Sequence, residues 1–161
     1  MLNKAIEIAA KAHNGQFDKG GNPYILHPLR VMLNFCEYEP DSVKICAVLH
    51  DVVEDSDITL DDLRTEGFSD EVIAALACLT KKQGENYYDF ISRVLTNEIA
   101  CKVKRGDLAD NMDLKRIPNP TAVDEERIQK YRKAAERIAD AIPDSRLYEE
   151  SKGAYEKNDN V

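Results

Sequence analysis

The chain has no tryptophan and only three histidines, His13, His27 and His50, among its 161 residues. Any imidazole chemistry must draw on those three. Its four cysteines, Cys36, Cys46, Cys78 and Cys101, include no C-x-x-C pair. That spacing excludes a zinc ribbon or a thioredoxin-like motif, and leaves small buried thiols in a reducing compartment as the expectation. No apolar run approaches the roughly 18 residues that mark a membrane span. The start, Met1-Leu2-Asn3-Lys4-Ala5-Ile6-Glu7, carries charge where a secretory signal needs an uninterrupted apolar stretch. The expectation is a cytoplasmic protein with no membrane partner. Basic residues are in deficit, 22 Lys and Arg against 30 Asp and Glu, for a net charge of −8. Such a surface is a poor non-specific partner for nucleic acid, whose phosphates need cations. A small phosphorylated ligand needs only a few local lysines and a metal, and stays allowed.

Strand-like alternation is missing too, as are internal repeats and low-complexity segments. Helical periodicity takes their place. Leu2, Ala5, Ile6, Ala9 and Ala12 mark a first helix that Asn14-Gly15 ends. A glycine-rich loop, Gln16 to Tyr24, leads to His27-Pro28, which opens a second helix with Leu29, Met32 and Phe35 inward. The third starts at Pro40-Asp41-Ser42 and is apolar nearly all round, so it is central; it runs on into His50-Asp51-Val52-Val53-Glu54-Asp55. Caps at Thr59 and Ser69 start two more. Others cover about Tyr87 to Leu95, Glu98 to Ile117 and Val123 to Ile142, with prolines 118, 120 and 143 as breaks. The reading is all-α, seven or eight helices in a single domain over residues 1–143, followed by a polar tail over residues 144–161.

The central helix ends in a conflict. His50 with Glu54, and Asp51 with Asp55, are each four apart and form two polar columns on a core helix. Four ionisable groups there repel one another and resist burial unless something neutralises them. A divalent cation does so, and mixed imidazole and carboxylate donors suit Zn, Mn or Fe better than Ca or Mg. Asp107 and Asn111, also four apart, lie on a helical face shared with Val103 and Leu114. Alone, His50 reads as a core histidine and Asp107 as a capping or salt-bridged acid; together they read as a site. His13 reads as a helix-end residue or one that backs a ligand. Lys81, Lys82 and Lys104 read as solvated lysines able to attract phosphate, and Tyr131 as core or pocket-facing.

The ordered stretches Lys19-Gly20-Gly21-Asn22-Pro23-Tyr24-Ile25-Leu26-His27-Pro28, Ala47-Val48-Leu49-His50-Asp51-Val52-Val53-Glu54-Asp55, Leu79-Thr80-Lys81, and Val103-Lys104 with Asp107 and Asn111-Met112 resemble the HD-domain metal-dependent phosphohydrolases. Within that group they are similar to the RelA/SpoT-type (p)ppGpp hydrolase domain, which also occurs as small stand-alone alarmone hydrolases. The resemblance implies an HD-domain helical bundle. It implies that His27, His50, Asp51 and Asp107 hold one divalent metal ion, most often Mn2+. It implies that Glu54 and Asp55 position and deprotonate the attacking water, and that Lys19 and Asn111 contact the nucleotide. The implied reaction removes the 3′-pyrophosphate of ppGpp or pppGpp. Two positions depart from the pattern: Asp18 stands where such hydrolases carry arginine, and Asp113-Leu114 where Arg-Thr is common. Two further readings therefore stand beside the first. One is an HD phosphohydrolase acting on a different phosphorylated nucleotide, and the other a non-catalytic module that senses a nucleotide.

Overall fold

The computed structural model describes residues 1–117 and 119–142. The expected break at Pro118, the stop at Pro143 and the tail over residues 144–161 lie outside the described residues. Among those described, the chain forms nine α-helical segments: α1 (Leu2–Ala12), α2 (Leu26–Leu33), α3 (Asp41–Leu49), α4 (Val52–Asp55), α5 (Leu60–Thr65), α6 (Asp70–Leu79), α7 (Tyr87–Val94), α8 (Glu98–Met112) and α9 (Ala122–Ala141). A single antiparallel bridge, Phe17 to Pro23, is the only β pairing among them. None of the described helices is long and apolar enough to cross a membrane.

The bundle is organised around α3, which packs against α1, α2, α6 and α8. Its Val43, Ile45, Cys46, Ala47, Val48 and Leu49 are all buried, as a helix apolar nearly all round requires. Side-chain caps set the helix starts. Thr59 and Asp62 cap each other's backbone at α5, while Ser69, Asn86 and Asn97 accept from Val72, Asp89 and Ala100 at α6, α7 and α8.

Two boundaries and one buried face differ from the sequence expectation. The central helix does not run through to Asp55. It stops at Leu49, and a turn at His50 and Asp51 leads to the single turn α4. The break resolves the burial conflict, because it lets His50 stay buried while Glu54 and Asp55 reach the surface. The eighth helix ends at Met112 rather than Ile117. Asp113 leaves the helical region and its carboxylate accepts from the Lys115 amide, starting a separate 3-10 turn, Leu114–Arg116. The buried stripe of α2 is His27 and Val31, continued by Phe35 just past its end, with Leu29 and Met32 only partly covered. The stripe thus contains the histidine itself.

Two glycines matter to this arrangement. Gly21 has φ near +80°, the left-handed conformation that closes the 18–22 turn. Gly106 sits where α8 meets α2; a Cβ there would lie 3.3 Å from Val31 Cγ1 and 3.5 Å from Phe35 Cζ. The missing side chain lets the two helices approach closely, one position before Asp107.

Candidate metal centre

Four predicted residues converge from three places: His27 in the first turn of α2, His50 and Asp51 in the break after α3, and Asp107 on α8. His27 Nε2 lies 3.1 Å from Asp107 Oδ1 and 3.5 Å from Asp51 Oδ2. His50 Nε2 lies 3.1 Å from Asp51 Oδ2 and 3.6 Å from Asp107 Oδ1. The two imidazole rings stand edge to face, 5.2 Å apart. One donor atom from each of His27, His50 and Asp107 falls within 4.8 Å of the others.

The ring tautomers follow from what backs each histidine. His27 Nδ1 is 2.6 Å from Asp110 Oδ2, and His50 Nδ1 is 2.8 Å from the Ala47 carbonyl oxygen. Both partners only accept, so Nδ1 carries the proton in each ring and Nε2 is the atom left for the site. Both Nε2 atoms are buried and have no hydrogen-bond partner. Buried polar atoms are rarely left so. Two unpartnered nitrogens beside two carboxylates fit a divalent cation with mixed nitrogen and oxygen donors.

The charges agree with that fit. Burial pulls the His50 imidazole down, but Asp51 and Asp107 outweigh it and hold its pKa well above the ordinary value. Burial raises the Asp51 carboxyl, and the neighbouring His50 outweighs that and brings it to about 2. Burial raises the Asp107 carboxyl, but Lys104, His27 and His50 together outweigh it and hold it well below its usual range. Protons on the imidazoles and charges on the carboxylates stabilise each other, and a dication held by these residues would take the place of those protons.

Supporting contacts fix the carboxylates. Tyr24 donates its hydroxyl to Asp51 Oδ2 at 2.7 Å. Lys104 Nζ is 2.7 Å from Asp107 Oδ2, and Asn111 Nδ2 donates to Asp107 Oδ1 at 2.5 Å. Lys104 is therefore a largely buried ion-pair partner, not the solvated surface lysine its sequence context suggests. Its ammonium pKa is raised because Asp107 overcomes the cost of burial.

The other predicted residues fall on two sides. Glu54 and Asp55 are exposed on α4. They are not in columns with the ligands along one helix, because the turn at His50 and Asp51 intervenes. Glu54 Oε1 accepts from the Lys81 amide at 2.5 Å. Burial raises the Asp55 carboxyl, and the Asp51 charge adds to it. The backbone of Asp55 is held by Gln16, whose Nε2 donates to the Asp55 carbonyl at 2.9 Å while its Oε1 faces His13 Nδ1 at 2.8 Å. His13 is buried and its ring packs, tilted by 52°, against Tyr24 at 5.0 Å. Lys19 Nζ pairs with Asp124 Oδ1 at 2.8 Å, joining the glycine loop to the start of α9. Asp18 Oδ1 accepts from the amides of Gly20 and Asn22, both at 2.9 Å, so the acid at this position shapes the loop.

Sequence reasoning missed several neighbours. Lys130 Nζ lies 4.6 Å over the Tyr87 ring and 5.3 Å over Tyr131. Burial lowers the Lys130 pKa, and Lys81, Arg127 and Lys104 add to it, so four cations from three elements share this flank. The Tyr87 hydroxyl is buried without a hydrogen-bond partner. Nothing in the local sequence links residues 81, 104, 127 and 130. Asp110 and Arg30 were missed as well, although each lies one helical turn beyond a residue of the candidate centre, Asp107 and His27 respectively.

No protein-family model matches the chain. Curated relatives do. It is 33% identical over 120 residues to a guanosine-3′,5′-bis(diphosphate) 3′-pyrophosphohydrolase of Aquifex aeolicus, an alignment covering 69% of this chain and 17% of that protein. It is 33% identical over 127 residues to a GTP pyrophosphokinase of Myxococcus xanthus, covering 70% of this chain and 17% of that one. The chain thus spans about a sixth of the length of these relatives. Among solved structures it matches one described as a metazoan ortholog of SpoT that hydrolyzes ppGpp, with a TM-score of 0.71, 24% identity, and coverage of 87% of this chain and 84% of that one. By sequence relatives and by fold, the chain is an HD-type helical domain akin to those of the SpoT-type ppGpp hydrolases.

Proposed function

We propose that this chain is a metal-dependent guanosine-3′,5′-bis(diphosphate) 3′-pyrophosphohydrolase of the cytoplasm, converting ppGpp to GDP and pyrophosphate. The observation that carries the reading is the pair of buried, unpartnered Nε2 atoms of His27 and His50 beside Asp51 and Asp107. These four residues hold one divalent ion, Mn2+ by preference. Bound there, a divalent ion supplies Lewis acidity to water and to a phosphoryl oxygen. Asp55 serves as general base, its raised pKa bringing it nearer the working pH. Glu54 orients water and ties the 80–86 loop to the centre through the Lys81 amide. The cations Lys81, Arg127 and Lys130 attract the substrate's phosphates in an otherwise acidic chain. Lys19 and Asn111 contact the nucleotide once it displaces part of their present pairing with Asp124 and Asp107.

The test is to incubate Mn2+-loaded protein with ppGpp and a panel of other phosphorylated nucleotides, and to measure pyrophosphate, phosphate and nucleoside products. Release of pyrophosphate from ppGpp is the expected result. No turnover of any phosphorylated nucleotide sinks the reading. A second reading keeps the chemistry and changes the nucleotide. Asp18 and Asp113 favour it, because both put acids near Arg30 at the mouth of the glycine loop. Turnover of another panel member well above that of ppGpp would select it.

A further inference from the structure

We infer that Arg30 and Asp110 are positioning residues for His27, and that this pair sets how tightly the centre holds its ion. The inference rests on the reading of the centre as a metal site. The two histidines are backed differently. His50 Nδ1 faces a peptide carbonyl, that of Ala47, at 2.8 Å. His27 Nδ1 faces a carboxylate, Asp110 Oδ2, at 2.6 Å. A carboxylate behind an imidazole draws on the Nδ1 proton, fixes the ring's orientation and makes Nε2 a stronger donor. Asp110 is itself buried, so its oxygens need partners. Arg30 holds both of them, Nε to Oδ1 at 2.7 Å and Nη2 to Oδ2 at 3.1 Å, and so fixes the plane of the carboxylate behind His27. Such two-pronged guanidinium contacts are among the strongest charge-assisted hydrogen bonds.

The placement is geometric. Arg30 stands one turn after His27 on α2, and Asp110 one turn after Asp107 on α8. The helix contact that joins the two ligands therefore also joins the pair behind them.

The experiment measures Mn2+ affinity of the full chain by competition against a fluorescent chelator, together with the Tm of the metal-free protein. It compares wild type with Asp110→Asn, Arg30→Gln and the double variant. Asp110→Asn is expected to weaken Mn2+ binding by about 10–100-fold, the usual effect of losing such a partner. Arg30→Gln is expected to weaken it less, since Asp110 stays behind His27. The double variant is expected to bind no more weakly than Asp110→Asn, because Arg30 acts through Asp110. A purely structural ion pair would lower the metal-free Tm and leave the Mn2+ affinity of the folded protein at the wild-type value; that result overturns the inference. If Asp110→Asn does not fold, Asp110→Glu reads the same quantity, with weakened binding in support and wild-type affinity against. Wild-type protein that binds no Mn2+ overturns the metal reading and this inference together.

Discussion

The amide of Lys81 donates to the Glu54 carboxylate at 2.5 Å, so the loop between α6 and α7 is tied to the helix turn that follows His50 and Asp51. The loop end is braced as well. Arg93 binds both Glu85 oxygens, at 3.0 and 2.7 Å, and donates to the Thr80 carbonyl at 2.7 Å. Glu54 thus has a tether as well as a charge, and Asp55 beside it has neither the tether nor the loop.

The two acids separate under substitution. Asp55→Asn is expected to lower pyrophosphate release by about 100-fold or more, the usual contribution of a positioned base, with Mn2+ affinity unchanged. Glu54→Gln keeps an oxygen for the Lys81 amide and removes only the charge, whereas Glu54→Ala removes both. Turnover should therefore fall further in Glu54→Ala than in Glu54→Gln. Equal turnover of Asp55→Asn and wild type would remove Asp55 from the chemistry.

Metal removal should cost stability. A ligand that binds only the folded state adds about 2.7 kcal/mol at a hundredfold excess over its Kd. For a domain of this size that is roughly 5–10 °C in Tm. Thermal melts with Mn2+ and with excess chelator should differ by that order. The difference should vanish in His27→Ala and in Asp107→Ala.

Lys104 stabilises a buried carboxylate. Removing one partner of a buried ion pair costs about 3–5 kcal/mol, because the other is left uncompensated. Lys104→Met should lose stability on that scale without metal. Added Mn2+ should recover part of it, since a dication takes over neutralising Asp107. Urea unfolding of both forms gives the comparison, and equal losses with and without Mn2+ would separate Lys104 from the centre.

Gly106→Val tests the α2–α8 contact. A Cβ at this position would already lie 3.3 Å from Val31 Cγ1, and valine adds two methyl groups to that tight contact. The expected outcome is a loss of about 1–3 kcal/mol in urea unfolding. Weaker Mn2+ binding should accompany it, because His27 and Asp107 move apart with their helices.

Acid sensitivity has a defined sign at Glu85. The Arg93 hydrogen bond holds its carboxyl at about 2, below the ordinary 4.5. A group with a depressed folded pKa contributes its stability in full above the unfolded value, and loses it as pH falls through the folded one. The Glu85–Arg93 pair should therefore lose its stabilising effect between about pH 4.5 and 2. Tm against pH for Glu85→Gln should run flatter than wild type in that window and parallel above it.

Local patterning was enough for the helical class and most helix starts, and the family resemblance pointed to the four residues that the fold brings together. Helix starts are local: a Thr, Ser or Asn caps amides two or three residues away, as Thr59, Ser69, Asn86 and Asn97 do. The centre was legible because buried His50 and Asp107 contradict the apolar periodicity around them. The rest came from packing. The break at His50 and Asp51 answers to burial on α3, which no local rule encodes. Lys104 looked solvated because its ion pair with Asp107 depends on which face of α8 is covered. Arg30 and Asp110 meet only because α2 and α8 cross at Gly106, and Lys81, Arg127 and Lys130 share a flank only because α9 packs beside α8. Spacing along a chain fixes which residues share a helical face. Which two faces meet is set by the packing of all the helices at once.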